Sequence, residues 1–440
     1  MALDCLTEEE FAKILAGHLR LSVPTDSEEL LYGREHALQT IREAYYTPGR
    51  HSFITGDRGV GKTSVARTAG FLLNPSTSEP VYVACNHMAT FATIIAAIHT
   101  QLTGDLAEVT RRTKTSVGVD GFGKEWESER IDGRPIDVLD INSATAILRR
   151  DCANSPTRRV IIIDEFERLT SAVDKVLFAE LTKQLADTHV NAFVIFGGIG
   201  RDVDELLDAH GSSHRYFDTI NLPRLDYTAR WEIIDGAATA LGIRVNDDSR
   251  FRIAAISDGF PHYIHLICHK LFWILFHEAS PVVLASQDHY VASVRAALTG
   301  IEPELRKPYE LATMKNKDDY EPILWAISAH FETVRNTDAI YSSYLQIMTT
   351  LEKEPLDRRR FSSRLNSLKS DRHGHMLITR RRNWYEFSQN VVRGYVRLRA
   401  EDRGLRLPYE HEPQQEPRRL SVQVPAARPL PRSLWPHGRH

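Results

Sequence analysis

A short apolar segment, His51 to Thr55, runs directly into Gly56-Asp57-Arg58-Gly59-Val60-Gly61-Lys62-Thr63, and helix-forming sequence then continues from Lys62 to about Leu73. Few folds accommodate a strand, a glycine-rich turn and a helix in such close succession. The eight residues satisfy the Gly-x4-Gly-Lys-Ser/Thr pattern in full. Glycines at these spacings let the backbone curl until its N–H groups converge on one point, and a helix starting at Lys62 adds the positive end of its dipole. A polyphosphate is the ligand that suits this geometry. Lys62 supplies a point charge for β- and γ-phosphates, Thr63 supplies a hydroxyl for Mg²⁺, and Ser64 continues the loop into the helix. The bland alternative, a chance glycine turn, is disfavoured by the strand and helix on either side.

A second segment belongs with the first. Val160-Ile161-Ile162-Ile163-Asp164-Glu165 consists of four β-branched residues followed by two acids. A strand buried in a parallel sheet reads as such an apolar run, and its carboxyl end opens onto the crevice where ligands bind. Asp164 is thus expected in the Mg²⁺ shell, with Glu165 polarising an attacking water. A strand that merely ends in solvated acids is the competing reading. An acid pair at this point favours hydrolysis, whereas a small-molecule kinase must exclude water.

Around these motifs the pattern alternates. Strands are expected at Val81 to Ala84, Ala192 to Gly197 and Ile220 to Leu222, and helices at residues 7–20, 33–44, 91–102, 143–150 and 173–186. Strand–helix alternation implies an α/β fold with a parallel sheet covered on both faces. Residues 103–140 are polar and Gly-rich and are expected to form an insertion with a hairpin at most. The 440-residue length exceeds one ordinary core. The expected division is an N-terminal helix (1–24), a nucleotide-binding core (25–225), a helical lid (226–300), a charged connector (301–320), a second module (321–403) and a disordered Pro/Arg-rich tail (404–440).

Charge separates the parts further. Lys and Arg number 55 against 58 Asp and Glu, but residues 351–400 hold 13 basic and 5 acidic residues. An acidic body with a basic C-terminal module points to a polyanion met by the module alone. Within it, Pro322 to Phe331, Thr337 to Leu351 and Arg358 to Lys369 read as helices, and His373 to Phe387 reads as a hairpin. This is the winged-helix order. Arg358, Arg359 and Arg364 on the third helix, with Arg380, Arg381 and Arg382 at the hairpin tip, form the candidate contact with duplex DNA phosphates. Solvated arginines, or a winged helix that docks a protein partner, are the alternatives. The four cysteines lack zinc or disulfide spacing. No segment reads as a signal peptide or membrane span, so the expected location is cytoplasmic, without membrane contact.

The motifs, taken in order, resemble those of AAA+ ATPases, in the branch of the origin-recognition initiator ATPases and of bacterial ATP-binding proteins of that kind. The chain is more distantly similar to AAA+ regulators of transposition. The resemblance covers about residues 25–400. It rests on Leu31-Tyr32-Gly33-Arg34-Glu35, the phosphate loop, Ile162-Ile163-Asp164-Glu165-Phe166, His210-Gly211-Ser212-Ser213-His214-Arg215, Ile220-Asn221-Leu222-Pro223 and Gly259-Phe260-Pro261-His262-Tyr263. It implies ATP and Mg²⁺ as ligands, a homo-oligomer, and Tyr32, Gly33 and Arg34 lying against the adenine. It also implies Arg215 as an arginine finger reaching the γ-phosphate of a neighbouring subunit. A surface arginine ahead of a strand is the other reading of Arg215.

Two positions depart from the family pattern. The strand before residue 200 ends in Gly197-Gly198-Ile199-Gly200, near where the family usually places a polar sensor; either Arg201 or Asp202 substitutes, or the sensor function is absent. His262 stands where the lid arginine is expected, and a histidine is shorter and mostly neutral at pH 7. The sequence therefore supports an ATP-dependent oligomeric switch on DNA with slow hydrolysis. The alternative is a nucleotide-gated signalling scaffold with little turnover, whose winged helix docks a protein partner. A DNA-binding regulator with a vestigial phosphate loop is disfavoured by the intact motif.

Overall fold

In the computed structural model, the described residues are 6–21, 24–25, 27–74, 79–105, 107–109, 134–136, 140–200 and 215–407. Five parallel strands form the central sheet: β1 (His51–Thr55), β2 (Val81–Ala84), β5 (Arg159–Asp164), β6 (Ala192–Gly198) and β7 (Phe217–Asn221), in the order β2-β5-β6-β1-β7. The register Ile54↔Gly197 and Thr55↔Gly198 brings the carboxyl ends of β1 and β6 level. Val83↔Ile163 and Ala84↔Asp164 do the same for β2 and β5. The sheet forms because its central strands are apolar on both faces. Val160 to Ile163 are each at most 2 % exposed, and each such side chain contributes about 1.5–3 kcal/mol relative to exposure.

Helices α2 (Glu35–Tyr46), α3 (Lys62–Leu73), α4 (Phe91–Thr103), α5 (Ile141–Cys152) and α6 (Ala172–Asp187) cover the sheet. Their ends follow local chemistry. Thr90 and Asp140 close capping boxes at α4 and α5, and Ser171 accepts the Asp174 amide at α6. Gly104, in the left-handed region, ends α4. The N-terminal helix α1 (Glu8–His18) buries Phe11, which stacks 4.4 Å from Phe276 and edge-on 4.9 Å from Trp273.

Beyond the sheet come α7 (Tyr227–Ala240), α8 (Asp247–Ser257), α9 (Pro261–Phe276) and α10 (Gln287–Thr299), with the short parallel pair β8 (Arg244–Val245) and β9 (Leu284–Ala285) among them, followed by α11 (Pro303–Thr313) and α12 (Lys317–Ser328). Helices α13 (Thr337–Thr350), α14 (Arg358–Ser367) and α15 (Val392–Asp402) complete the described chain. Strands β11 (Leu377–Arg381) and β12 (Trp384–Phe387) form the expected antiparallel hairpin, with Leu377↔Phe387 and Ile378↔Glu386. A short strand, β10 (Arg335–Asn336), adds to β12. Three helices followed by this wing is the winged-helix order. No helix among the described residues is long and apolar enough to cross a membrane.

Three expectations change. The 301–320 stretch is helical rather than a simple connector. Pro303 sits in the first turn of α11, and Leu305, Tyr309 and Ala312 form a buried stripe that the surrounding charges obscure. In the 103–140 insertion, the described strands β3 (Ala107–Val109) and β4 (Arg134–Ile136) pair in parallel, not as a hairpin. In the 404–440 tail, Leu405 and Leu407 are buried; residues 408–440 lie outside the described set.

The lid helices and the C-terminal helix meet around one carboxylate. Asp258, left-handed at the end of α8, pairs with Arg224 at 2.6 Å, Arg393 at 3.1 Å and Arg397 at 3.0 Å. Burial alone would raise its pKa, but the surrounding guanidiniums hold it below the usual carboxylate value. Arg252 and Glu401 form a second buried pair, two-pronged at 2.5 and 2.6 Å. α8 and α15 are therefore joined through charges that are costly to separate.

Candidate functional site

The phosphate loop leaves β1 at Gly56, whose φ is +149°; Gly59 and Gly61 follow at +85° and +97°. At Gly56 a side chain is also excluded by space, since a Cβ would lie 2.5 Å from the Leu222 carbonyl oxygen. Gly61 is the N-cap of α3 and places no side chain over its first turn, which lines the cleft. Lys62 is buried, and its Nζ donates to the carbonyls of Gly56 at 2.9 Å and Asp57 at 3.1 Å. Asp57, Arg58, Val60, Thr63 and Ser64 line the same cleft.

Thr63 and Asp164 are 101 residues apart in sequence, yet Thr63 Oγ1 donates to Asp164 Oδ2 at 2.6 Å. Asp164 is 1 % exposed, and its Oδ1 accepts the Glu165 amide at 2.9 Å. A hydroxyl and a carboxylate oxygen this close suit Mg²⁺, which takes few protein oxygens and completes its octahedron with phosphate and water. Glu165 is held in the left-handed region at φ +53°, and its Oε1 pairs with Arg168 at 3.1 Å. Its side chain is partly exposed beside the cleft, where a base for water activation must sit.

Two residues here escaped sequence reasoning. Tyr82, on β2, donates its hydroxyl to Asp164 Oδ2 at 3.0 Å. Burial, then the Asp164 charge, raises the Tyr82 pKa, so it stays a donor. Gly197 fills the neighbouring position on β6: a Cβ there would lie 2.4 Å from Asp164 Oδ1. That carboxylate leaves no room for a side chain at Gly197. A pairing signal between β5 and β6 would have been needed to find it. Arg201 and Asp202, the proposed substitutes for a sensor, lie outside the described residues, as do His210 to His214.

On the far side of the loop, buried Arg34 donates to the Val60 carbonyl at 2.9 Å, and burial lowers its pKa to about 10. Tyr32 packs against Gly236, whose Cβ would approach the Tyr32 hydroxyl to 2.8 Å. Gly33, at φ +66°, packs toward Ala229 and Leu225 of the lid side. His262 faces the cleft from the first turn of α9 and is kept neutral by burial. His18 and His265 also line the cleft. His18 Nδ1, His262 Nε2 and His265 Nδ1 are all buried without a hydrogen-bond partner among the described residues. Burial, then His262, pushes His265 down to about 4. The cleft holds about 1570 Å³ and is bounded by the sheet, α1, α9, α11 and the C-terminal hairpin.

Arg215 is exposed and precedes β7. The pairing His51↔Phe217 and Thr55↔Asn221 sets it at the opposite end of the sheet from Gly56. Five residues of strand separate the two ends by about 17 Å, beyond the reach of an arginine into its own phosphate loop.

The six arginines of the C-terminal module fare unevenly. Arg358 pairs with Asp338 and lies over Tyr341. Arg364 pairs with Asp319 at 2.9 Å, and Arg380 pairs with buried Glu386 at 2.5 Å. Arg381 lies 4.0 Å over Trp384. Arg359 and Arg382 are exposed with no side-chain ion pair among the described residues.

A parallel sheet in this strand order, a glycine loop feeding a helix and an Asp164–Thr63 contact at the strand ends define a P-loop nucleoside-triphosphate-binding fold. Residues 30–195 match the family model of the AAA ATPase domain. No curated protein matches the sequence. Among solved structures, a Walker-type ATPase of Pyrococcus abyssi is similar, with 15 % identity, a TM-score of 0.51, and coverage of 86 % of this chain and 99 % of that one. Cdc6p of Pyrobaculum aerophilum gives 16 % identity, a TM-score of 0.43 and coverage of 90 % and 98 %. The ORC2 protein of Aeropyrum pernix, solved as ADPNP–ADP complexes, gives 15 %, 0.45, 88 % and 98 %. At 15 % identity the likeness to the Pyrococcus abyssi protein is one of fold alone.

Proposed function

We propose that the chain is an Mg-ATP-dependent switch that binds ATP firmly and hydrolyses it slowly. The observation that carries this reading is the 2.6 Å hydrogen bond from Thr63 to Asp164 beneath a glycine loop that opens α3 toward the cleft. Lys62 and the loop amides hold the phosphates, Thr63 and Asp164 hold Mg²⁺, and Glu165 orients the attacking water. Bound Mg²⁺ supplies neutralisation of the phosphate charge. The Glu165–Arg168 pair must loosen for Glu165 to accept a proton, which supports slow turnover. Arg215, too far from its own loop, acts on a neighbouring copy, so that ATP bridges two subunits and hydrolysis releases them.

The module from residue 321 to 403 is the output. Arg359, Arg381 and Arg382 are the arginines free to meet duplex phosphates. A second reading, a winged helix that docks a protein, is favoured by the internal pairing of Arg358, Arg364 and Arg380.

The test is ATP turnover with and without duplex DNA, alongside sedimentation in ATP and ADP. Turnover that duplex DNA stimulates, that Glu165→Gln abolishes with ATP binding kept, and that needs Arg215 in a second subunit supports the switch. Firm ATP binding with no turnover under any condition leaves the scaffold. Equal nucleotide affinity in Lys62→Ala and the parent chain sinks both.

A further inference from the structure

The phosphate loop touches more than its own sheet. Arg58 Nη2 meets Glu304 Oε2, in the first turn of α11, at 2.6 Å. Asn390, just after β12, donates from Nδ2 to Asp57 Oδ2 at 3.0 Å. A Cβ placed on Gly59 would lie 3.2 Å from Val391 Cγ2, so the tip of the loop is in van der Waals contact with the same segment. Asn390 Oδ1 is buried beside these contacts without a hydrogen-bond partner among the described residues. Ser388, Gln389, Asn390 and Val391 all face the cleft. Residues 246 and 333 positions away along the chain thus hold the two side chains at the crest of the loop.

These contacts differ in kind from those behind them. Arg58 and Glu304 are 53 % and 67 % exposed, and a pair so exposed is weak and easily broken. The Asp258–Arg393–Arg397 and Arg252–Glu401 contacts are buried, and the Tyr263 hydroxyl donates to the Val391 carbonyl at 2.7 Å. The lid and the C-terminal helix therefore move together, while their grip on the phosphate loop is a light one.

Resting on the nucleotide site proposed above, we infer that Glu304 and Asn390 are positioning residues for the phosphate loop, forming a latch through which the C-terminal module governs nucleotide release. With the latch made, Arg58 and Asp57 are held and the loop keeps its curl around the phosphates. With it broken, the crest of the loop is free and the module has swung with the lid. A nucleotide leaving the cleft must pass through the broken state, so occupancy of the site and position of the module are linked.

The test is stopped-flow release of a fluorescent ADP analogue from the full-length protein, chased with unlabelled ATP. The combined variant Asn390→Ala, Glu304→Gln is expected to release it about fivefold faster, the sum of two weak contacts, with an unchanged thermal midpoint. The difference should shrink at high salt, where the Arg58–Glu304 contact is screened. Glu310→Gln, which breaks the Arg306–Glu310 pair on the same helix, should release at the parent rate, since α11 is loosened without touching the loop. Equal release from the combined variant and the parent, with Lys62-dependent binding intact in both, overturns the latch alone. Absence of Lys62-dependent binding in the parent chain overturns the nucleotide reading and the latch with it.

Discussion

The phosphate-loop end of the sheet and the outer face of the C-terminal module were both marked by charged residues in the sequence, and the structure treats them in opposite ways. At the sheet, charges converge: Lys62, Thr63, Asp164 and Glu165 face one cleft, and Asp164 gathers the Thr63 and Tyr82 hydroxyls on a single oxygen. On the module, charges disperse: Arg358, Arg364 and Arg380 each find an acid of their own chain. The difference lies in what fixes each group. Backbone geometry at the strand ends aims the first set, whereas long, flexible side chains on a helix and a hairpin settle on whatever acid is nearest. A contiguous motif is therefore a firmer guide to chemistry than a count of basic residues.

The sharpest test of the convergent region is Lys62→Ala. It removes a charge-assisted contact to phosphate, and ATP affinity is expected to fall about 100-fold by calorimetry. Unchanged affinity would overturn the nucleotide site proposed at this end of the sheet. Next is Gly197→Ala, which sets a methyl group 2.4 Å from Asp164 Oδ1 and must displace that carboxylate. The Mg²⁺-dependent part of ATP affinity should drop about tenfold, while affinity without Mg²⁺ stays near the parent value.

The dispersed region is tested by salt dependence. Substituting Arg359, Arg381 and Arg382 by Ala should flatten the log–log salt slope of duplex binding by about two to three. Substituting Arg358, Arg364 and Arg380 should change it by less than about one, because their charges are already matched. The reverse ranking would show that the internal pairs open on contact with DNA.

The smallest effect concerns the histidines of the cleft. Burial holds the folded pKa of His265 at about 4, below its unfolded value near 6.5. The unfolded chain binds more protons between these values, so this contribution is whole above pH 6.5 and is lost as pH falls toward 4. Thermal midpoints measured from pH 7 to 5 should decline less in His265→Gln than in the parent protein.

Much of the fold was legible because its signals are local. The bounds of β1, α3 and β2 follow from an apolar run, a glycine loop and flanking turn residues, all within a few positions of one another. α11 was missed because Arg306, Lys307 and Glu310 mask the stripe of Leu305, Tyr309 and Ala312. The parallel pairing of β3 and β4 was missed because register between distant strands leaves no local mark. Within the site, Gly56 to Thr63 and Asp164–Glu165 stand out by composition alone. Tyr82 and Gly197 do not, since each matters only through its distance from Asp164.

The sequence by itself determined that a glycine loop joins a strand to a helix and which residues form it, because backbone curl and helix polarity are set by neighbours along the chain. Tertiary structure alone decided what surrounds the loop: Tyr82 on the metal-side carboxylate, His18 and His265 in the cleft, and Glu304 and Asn390 on the crest. Those contacts join residues up to 333 positions apart. They arise only when strand order and the packing of lid on module bring separate surfaces together, which no short stretch of sequence encodes.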